Sequence, residues 1–374
     1  MGDFGVGTYI RNVVRTLGRL DGETQYFLIG PARGRETIGA LPGNFRSIVF
    51  EASDKSLAGW TGFRAILKRL HCDLVHVPHL YWLPRGLTCP YVVTVHDVLE
   101  YLERAHGKSL LQLTARFNLT RRVVHGAARL FAVSEFTRSE LETLFRLPME
   151  RVQVVHNAID ERFLCGHATE AEKQMIAARY QVNYPFLLYA GRISPQKNLV
   201  RIIEAFSVLK GELAKEGRFE DLKLIIIGDD LSSHPDLRRT VVRGGVTNEV
   251  RFLGFVPIDV LRVFYDAAKI FVFPSLYEGF GLPPLEAMAH GTPVVTSNTS
   301  SLPEVVGDAA VLVNPDNVFE ITRALRRVLL DQGLREKMKE RGYEQVRRFS
   351  WEESVRQILE VYREVAGAGR AKAA

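Results

Sequence analysis

Short runs of β-branched and aromatic residues alternate with helical stretches along the whole chain, a pattern that predicts parallel sheets covered by helices. In the first half, Gln25 to Ile29, Ser47 to Phe50, Leu74 to Val77, Tyr91 to Val95, Arg129 to Val133 and Val152 to Val155 read as strands. A second set comprises Phe186 to Ala190, Leu222 to Ile227, Val250 to Leu253, Ile270 to Phe273, Thr292 to Thr296 and Ala310 to Val313. Between the sets, Asp160 to Tyr184 is charged, alanine-rich and free of strand pattern, so the boundary is placed there. The expected organisation is α/β: a Rossmann-like domain over 1–168, a second over 169–349, and a terminal helix over 350–374, with Trp351 to Ala366 amphipathic. Two such units in tandem would hold a ligand in the cleft between them.

The chain opens on Gly2-Asp3-Phe4-Gly5-Val6-Gly7-Thr8-Tyr9, a glycine-rich loop before a helix from Tyr9 to Leu20. Ile10, Val13, Val14 and Leu17 are spaced to pack that helix on a sheet. A loop of this kind ordinarily follows a strand, and none precedes it here. Either the first strand of the N-terminal domain is missing through truncation at the start of the chain, the reading that the helix spacing favours, or the glycines are only a flexible terminus.

With 374 residues the chain exceeds one ordinary core and fits two domains. No run approaches the roughly 20 apolar residues of a membrane span. The three cysteines, Cys72, Cys89 and Cys165, have no paired spacing, which suits a reducing cytoplasm. The net charge of +6 is uneven, with +5 in residues 1–168 and +1 in the remainder. A basic first half attracts anionic partners. Its basic residues lack interleaved aromatic platforms, which argues against nucleic acid. The stretch Ser109 to Val124 either packs on the first sheet or lies on an anionic membrane.

The segment Pro274 to Val295, PSLYEGFGLPPLEAMAHGTPVV, carries the densest chemistry. Its strand ends at Pro274. Pro283 and Pro284 fit only the first turn of a helix, because proline lacks the N–H that an interior position donates. Glu286 then sits on the first turn and Glu278 in the loop, with the amides of Gly279 to Leu282 between them. Amides at a helix N-terminus favour a phosphate. An ionised Glu286 accepts hydrogen bonds only, which suits a pair of sugar hydroxyls. The plainer alternative is a dipole-complementing Glu286 and a solvated Glu278. The strand Phe186 to Ala190 runs into Gly191-Arg192-Ile193-Ser194-Pro195-Gln196-Lys197-Asn198, placing Arg192 and Lys197 where ligands of open α/β sheets bind. Two cations there would clamp a diphosphate and stabilise charge on a leaving phosphate; otherwise they are surface charges near a turn.

In the first half, the strand Tyr91 to Val95 leads into His96-Asp97. His96 there either bonds a substrate hydroxyl or is a satisfied structural residue. His76 and His79 lack a third ligand in sequence, so no metal site is read. Tyr81 and Trp82 would wall a sugar or acceptor pocket, or lie in the core. Asp229-Asp230 reads as a turn or cap. No nucleophile elbow and no Walker loop occurs.

Taken in order, DFGVGTYIRN, VTVHDV, FAVSEFTRSEL, VVHNAID, YAGRISPQKNLVRIIEAF, FLGFVP, EGFGLPPLEAMAHGTPVVTSN and LPEVVGDAA resemble the family 4 glycosyltransferases, retaining enzymes of the GT-B fold, also called glycosyl transferases group 1. The resemblance covers nearly the whole chain. It implies that Arg192 and Lys197 bind a donor diphosphate and that Glu278 contacts the transferred sugar. By the same resemblance the amides of Phe280, Gly281 and Leu282 line the sugar and phosphate, and Glu286 holds the ribose hydroxyls. His96 would sit beside the transferred sugar, and Gly5 and Gly7 would approach the phosphate. The family needs no bound metal or cofactor, and its terminal helix crosses back to the first domain. The expected reaction moves a hexose from a nucleotide-diphosphate sugar, GDP-mannose before UDP-glucose, to a saccharide or lipid-linked acceptor in polysaccharide synthesis. A mannosyltransferase of the cytoplasm is expected, with peripheral contact at the inner face of the cell membrane left open. A nucleotide-sugar epimerase of the same architecture and a non-catalytic nucleotide-sugar binding protein are the alternatives.

Overall fold

The computed structural model describes residues 5–32, 38–53, 56–80, 83–102, 110–229 and 234–373. The chain divides into two compact units, one of residues 1–158 with 349–374 and one of residues 159–348. The division falls between Ala158 and Ile159, ten residues before the expected boundary at 168. The segment after it belongs with the second unit for a packing reason. Phe163 meets Tyr265 and His290 edge-on, and the Ala168 amide donates to Asp266.

Among the described residues twelve strands form, each within two residues at its start of the run expected from the sequence. They are β1 (Tyr26–Gly30), β2 (Phe45–Val49), β3 (Val75–Val77), β4 (Tyr91–Val95), β5 (Arg129–Ala132), β6 (Val152–Val154), β7 (Phe186–Ala190), β8 (Lys223–Ile227), β9 (Val250–Gly254), β10 (Ile270–Phe273), β11 (Val294–Ser297) and β12 (Ala310–Val313). Among the described residues, the first unit holds two separate parallel sheets, β1-β2 and β3-β4-β5-β6. Its opening helix runs Val6–Leu20, so Gly7 is a helical residue rather than part of the expected loop, and Gly5 is the N-cap with φ of 64°. Val13, Val14 and Leu17 bury one face of that helix, as their spacing requires.

Trp351–Ala373 is a helix of the same unit, and Trp351, Val355 and Ile358 share a core with Tyr9, Val13 and Phe45. A polar thread runs through this core: Tyr9 Oη and His76 Nε2 both reach Thr94 Oγ1, at 2.9 and 2.7 Å, while His76 Nδ1 meets Tyr362 Oη at 2.5 Å. Burial pushes His76 down to about 3, so it is a neutral structural residue. The helix Leu110–Gly126 turns Val123 and Val124 inward and stacks Phe117 on Phe145, leaving Leu111 exposed. Among the described residues, no helix is long and apolar enough to cross a membrane.

Among the described residues, the second unit holds one six-stranded parallel sheet, ordered β12-β11-β10-β7-β8-β9. β7, β10 and β11 are buried at every position, which explains why they read as continuous apolar runs rather than alternating ones. The order departs in one direction from β7 through β8 and β9, and in the other through β10 to β12. β7 and β10 pair through Ile270↔Leu187 and Phe271↔Leu188. Strand order therefore reverses between them. In an open doubly wound sheet, the crevice beyond the carboxyl ends at such a reversal is where ligands bind.

Candidate functional site

The loops that leave β7 and β10 at this reversal are the two that the sequence marked. They are joined to each other by hydrogen bonds. Gln196 O accepts the Leu276 amide at 2.8 Å and the buried Ser275 hydroxyl at 2.9 Å. Asn198 is 8% exposed, has φ of 62°, and donates Nδ2–H bonds to Pro274 O at 3.0 Å and Pro315 O at 2.8 Å. Asparagine tolerates that left-handed backbone better than most residues. Its buried side chain satisfies carbonyls that would otherwise be orphaned.

This cross-linking brings Lys197 and Glu278 together across 81 residues of sequence. Lys197 Nζ lies 2.5 Å from Glu278 Oε1, with the side chains 18% and 12% exposed. The ammonium also sits 5.4 Å from the centre of the Phe273 ring. Glu278 is held at its backbone too: its amide donates to Ser300 Oγ at 3.1 Å, and its carbonyl accepts the Ser301 hydroxyl at 2.9 Å. The expected alternative of a solvated Glu278 is thus set aside. Arg192 is different. Its side chain is 81% exposed and 3.9 Å from Asp229, whose other contact fixes the Ile193 amide at 3.0 Å. Asp229 therefore shapes the Arg192 turn, while Asp230 lies outside the described residues.

The helix Leu282–Ala289 begins after Gly281, which has φ of 110°. A Cβ at Gly281 would stand 2.7 Å from Leu302 Cδ2, so both backbone and space require glycine. Pro283 and Pro284 occupy the first turn, as expected, and remove two N–H groups from the helix start. The amides of Gly281 and Leu282 have no acceptor among the described residues. The Phe280 side chain is buried at 4% exposure, and its carbonyl accepts the Ser301 hydroxyl.

Glu286 corrects one expectation. Burial pushes its carboxyl up to about 7, with Asp160 adding repulsion and a hydrogen bond from Tyr265 opposing both. Burial therefore favours the protonated form of a group that the sequence reading takes as ionised at neutral pH. Tyr265 Oη donates to Oε2 at 3.0 Å. Sequence reasoning missed Tyr265, Ser300 and Asn198 as supports of this region. Tyr265 reads as one more apolar residue of an amphipathic helix, and no spacing links it to Glu286.

His96, in the first unit, donates its Nε2–H to Pro78 O at 2.9 Å and packs edge-on against Tyr9 at 4.8 Å. Burial pushes it down to about 4, which makes it a neutral imidazole with Nδ1 as an acceptor. Asp97 Oδ1 accepts the Leu99 amide at 3.2 Å and serves the short helix that follows. Tyr81 and Trp82 lie outside the described residues.

Residues 171–345 match the family model described as Glycosyl transferases group 1, and residues 5–163 match Glycosyltransferase Family 4. The chain is 34% identical over 304 residues to the O-antigen chain mannosyltransferase B of Escherichia coli, covering 78% of this chain and 74% of that one. Among solved structures, sucrose-phosphate synthase of Thermosynechococcus elongatus superposes with a TM-score of 0.77 at 20% identity, covering 98% of this chain and 94% of the other. Anabaena HepE in complex with UDP-glucose gives 0.73 at 19% identity, with 96% of each chain covered. The motifs, the pair of parallel-sheet units and these matches agree: the chain belongs to the family 4, or group 1, glycosyltransferases of the GT-B fold, and is a glycosyltransferase.

Proposed function

We propose that the protein moves a hexose from a nucleotide-diphosphate sugar to a hydroxyl of a saccharide or lipid-linked acceptor, with retention of the anomeric configuration and with GDP-mannose as donor ahead of UDP-glucose. The observation that carries this reading is the Lys197–Glu278 contact, a cation and a carboxylate held together at the strand-order reversal. Lys197 and the exposed Arg192 would take the diphosphate, the amides of Gly281 and Leu282 would line phosphate and sugar beside Phe280, and Glu278 would accept from a hydroxyl of the transferred sugar. Glu286 would hold the ribose hydroxyls, and the neutral His96 would accept from a sugar hydroxyl through Nδ1.

In the transfer itself, the bond from the anomeric carbon to the diphosphate oxygen breaks through an ion-pair-like transition state. The acceptor oxygen bonds to the same face, and its proton passes to the departing diphosphate. Stabilising negative charge on that leaving group is the main work of Lys197 and Arg192. The mannosyltransferase name of the Escherichia coli relative supports the donor preference.

A thermal-shift panel of nucleotide sugars tests the donor. A ligand at 100 times its dissociation constant stabilises by about 2.7 kcal/mol, so GDP-mannose should give the largest upward shift. NMR of the product formed with donor and a saccharide acceptor then reports the anomeric configuration. An inverted product, or donor conversion without acceptor, would overturn the mechanism.

A further inference from the structure

Away from the donor loops, the second unit gathers three more ligand-bearing side chains. Asp266, one residue beyond Tyr265, lies at the end of the helix Ile258–Ala267, with its side chain 2% exposed. Its Oδ1 is 2.7 Å from His167 Nδ1 and 3.1 Å from His290 Nδ1. His290 caps the C-terminus of Leu282–Ala289 with its side chain 1% exposed, whereas His167 is 53% exposed. One ligand atom from each residue lies within 4.8 Å of the others.

The electrostatics of this cluster call for a cation. A buried carboxylate stands at the C-terminal, negative end of two helices, where dipoles favour positive charge. Among the described residues, no lysine or arginine pairs with Asp266. His167 and Asp266 have outer contacts of the kind that orient ligands, whereas His290 Nε2 is buried with no partner among the described residues. His167 Nε2 is 3.1 Å from Tyr343 Oη, so that with Nδ1 on a metal the Nε2–H donates to the phenol. The Ala168 amide holds Asp266 Oδ2 at 2.5 Å, which leaves Oδ1 facing both imidazoles. Two imidazoles and one carboxylate suit zinc, and the exposed His167 leaves the cluster open to solvent, from which a water would be the fourth ligand.

We propose that His167, Asp266 and His290 form a binding site for a divalent transition metal, zinc foremost. Such a metal fastens the segment after residue 159 to the ends of two helices of the donor-loop unit. Its role is structural: none of the three ligands is itself a proposed donor contact, and they adjoin that region only through Tyr265, whose ring stacks on His290 at 6.0 Å and whose hydroxyl donates to Glu286.

The test is metal binding by the full-length protein after chelator treatment and dialysis, which does not depend on any transfer activity. Titration with Co2+, read by visible absorption, should saturate at one equivalent with the intense bands of four-coordinate cobalt. Zn2+ should displace it and raise Tm. His167→Ala removes an exposed ligand without disturbing the core and should abolish saturation. Tyr343→Phe should weaken affinity by roughly tenfold to a hundredfold. Cys165→Ser removes the exposed thiol two residues from His167 and should change nothing. No saturable binding, binding that survives His167→Ala, or binding lost in Cys165→Ser would each overturn the proposal.

Discussion

Replacing Glu286 by glutamine should reverse sign in its usefulness between stability and binding. In the folded protein the carboxyl titrates near 7 against an ordinary value of 4.5. Between those values the unfolded chain has released its proton while the folded chain retains it. Stability therefore falls as pH rises through this window, and the loss is complete above the folded value. At 1.36 kcal/mol for each pH step, the loss approaches about 3 kcal/mol in the wild type and vanishes in Glu286→Gln. The variant should match the wild type near pH 4 and exceed it by up to about 3 kcal/mol at pH 8. Urea unfolding across that range measures the difference directly. If Glu286 holds the ribose hydroxyls as proposed, donor binding should run the other way, because the hydroxyls would need the ionised carboxylate: wild-type affinity at pH 6 should be about tenfold below its plateau. Tyr265→Phe removes the hydrogen bond that favours the ionised form and should move that binding midpoint upward. A stability difference that stays flat from pH 4 to 8 would refute the reasoning, since a partly buried carboxyl with an ordinary titration leaves no such window.

Lys197→Ala should lower turnover by on the order of a hundredfold or more, as losses of comparable electrostatic stabilisers do, and steady-state kinetics with saturating acceptor would show it; a near-wild-type rate removes Lys197 from the leaving-group role. Arg192→Ala, at an 81% exposed side chain, should leave the urea midpoint nearly unchanged, within about 0.5 kcal/mol, while weakening donor binding in calorimetry. Gly281→Ala forces a side chain into a backbone of φ 110° and against Leu302; a destabilisation of about 1–3 kcal/mol is expected, and an unaltered unfolding curve would mean that the helix start can relax. Asn198→Ala orphans the Pro274 and Pro315 carbonyls and should cost about 1–3 kcal/mol, read from the same unfolding measurement.

The strands were legible because both faces of a parallel sheet are buried, so that β7, β10 and β11 appear as uninterrupted apolar runs. The start of Leu282–Ala289 was legible for a local reason, since Pro283 and Pro284 fit only a first turn. Boundaries set by distant contacts were not. Nothing in Asp160 to Tyr184 announces that Phe163 packs on Tyr265, which is why the division between units lies before Ile159 rather than at 168. Gly7 looked like loop, yet the helix begins at Val6. The ionisation of Glu286 was illegible too, because burial and a partner 21 residues away decide it.

The contact between Lys197 and Glu278 also explains why the two loops must be stiff. In the structure each charge compensates the other in a partly buried setting, where an unpaired charge is costly. On the proposed function, a diphosphate approaching Lys197 would compete for the same ammonium and would leave Glu278 to find hydroxyl donors, which the transferred sugar would supply. Donor binding would then exchange one compensated arrangement for another, provided both side chains keep their positions. Gln196, Asn198 and Ser275 on one side, with Ser300 and Ser301 on the other, tie down the backbone under each charge. Fixed charges of this kind need no reorganisation when the leaving group becomes negative, the condition under which electrostatic stabilisation contributes most to rate.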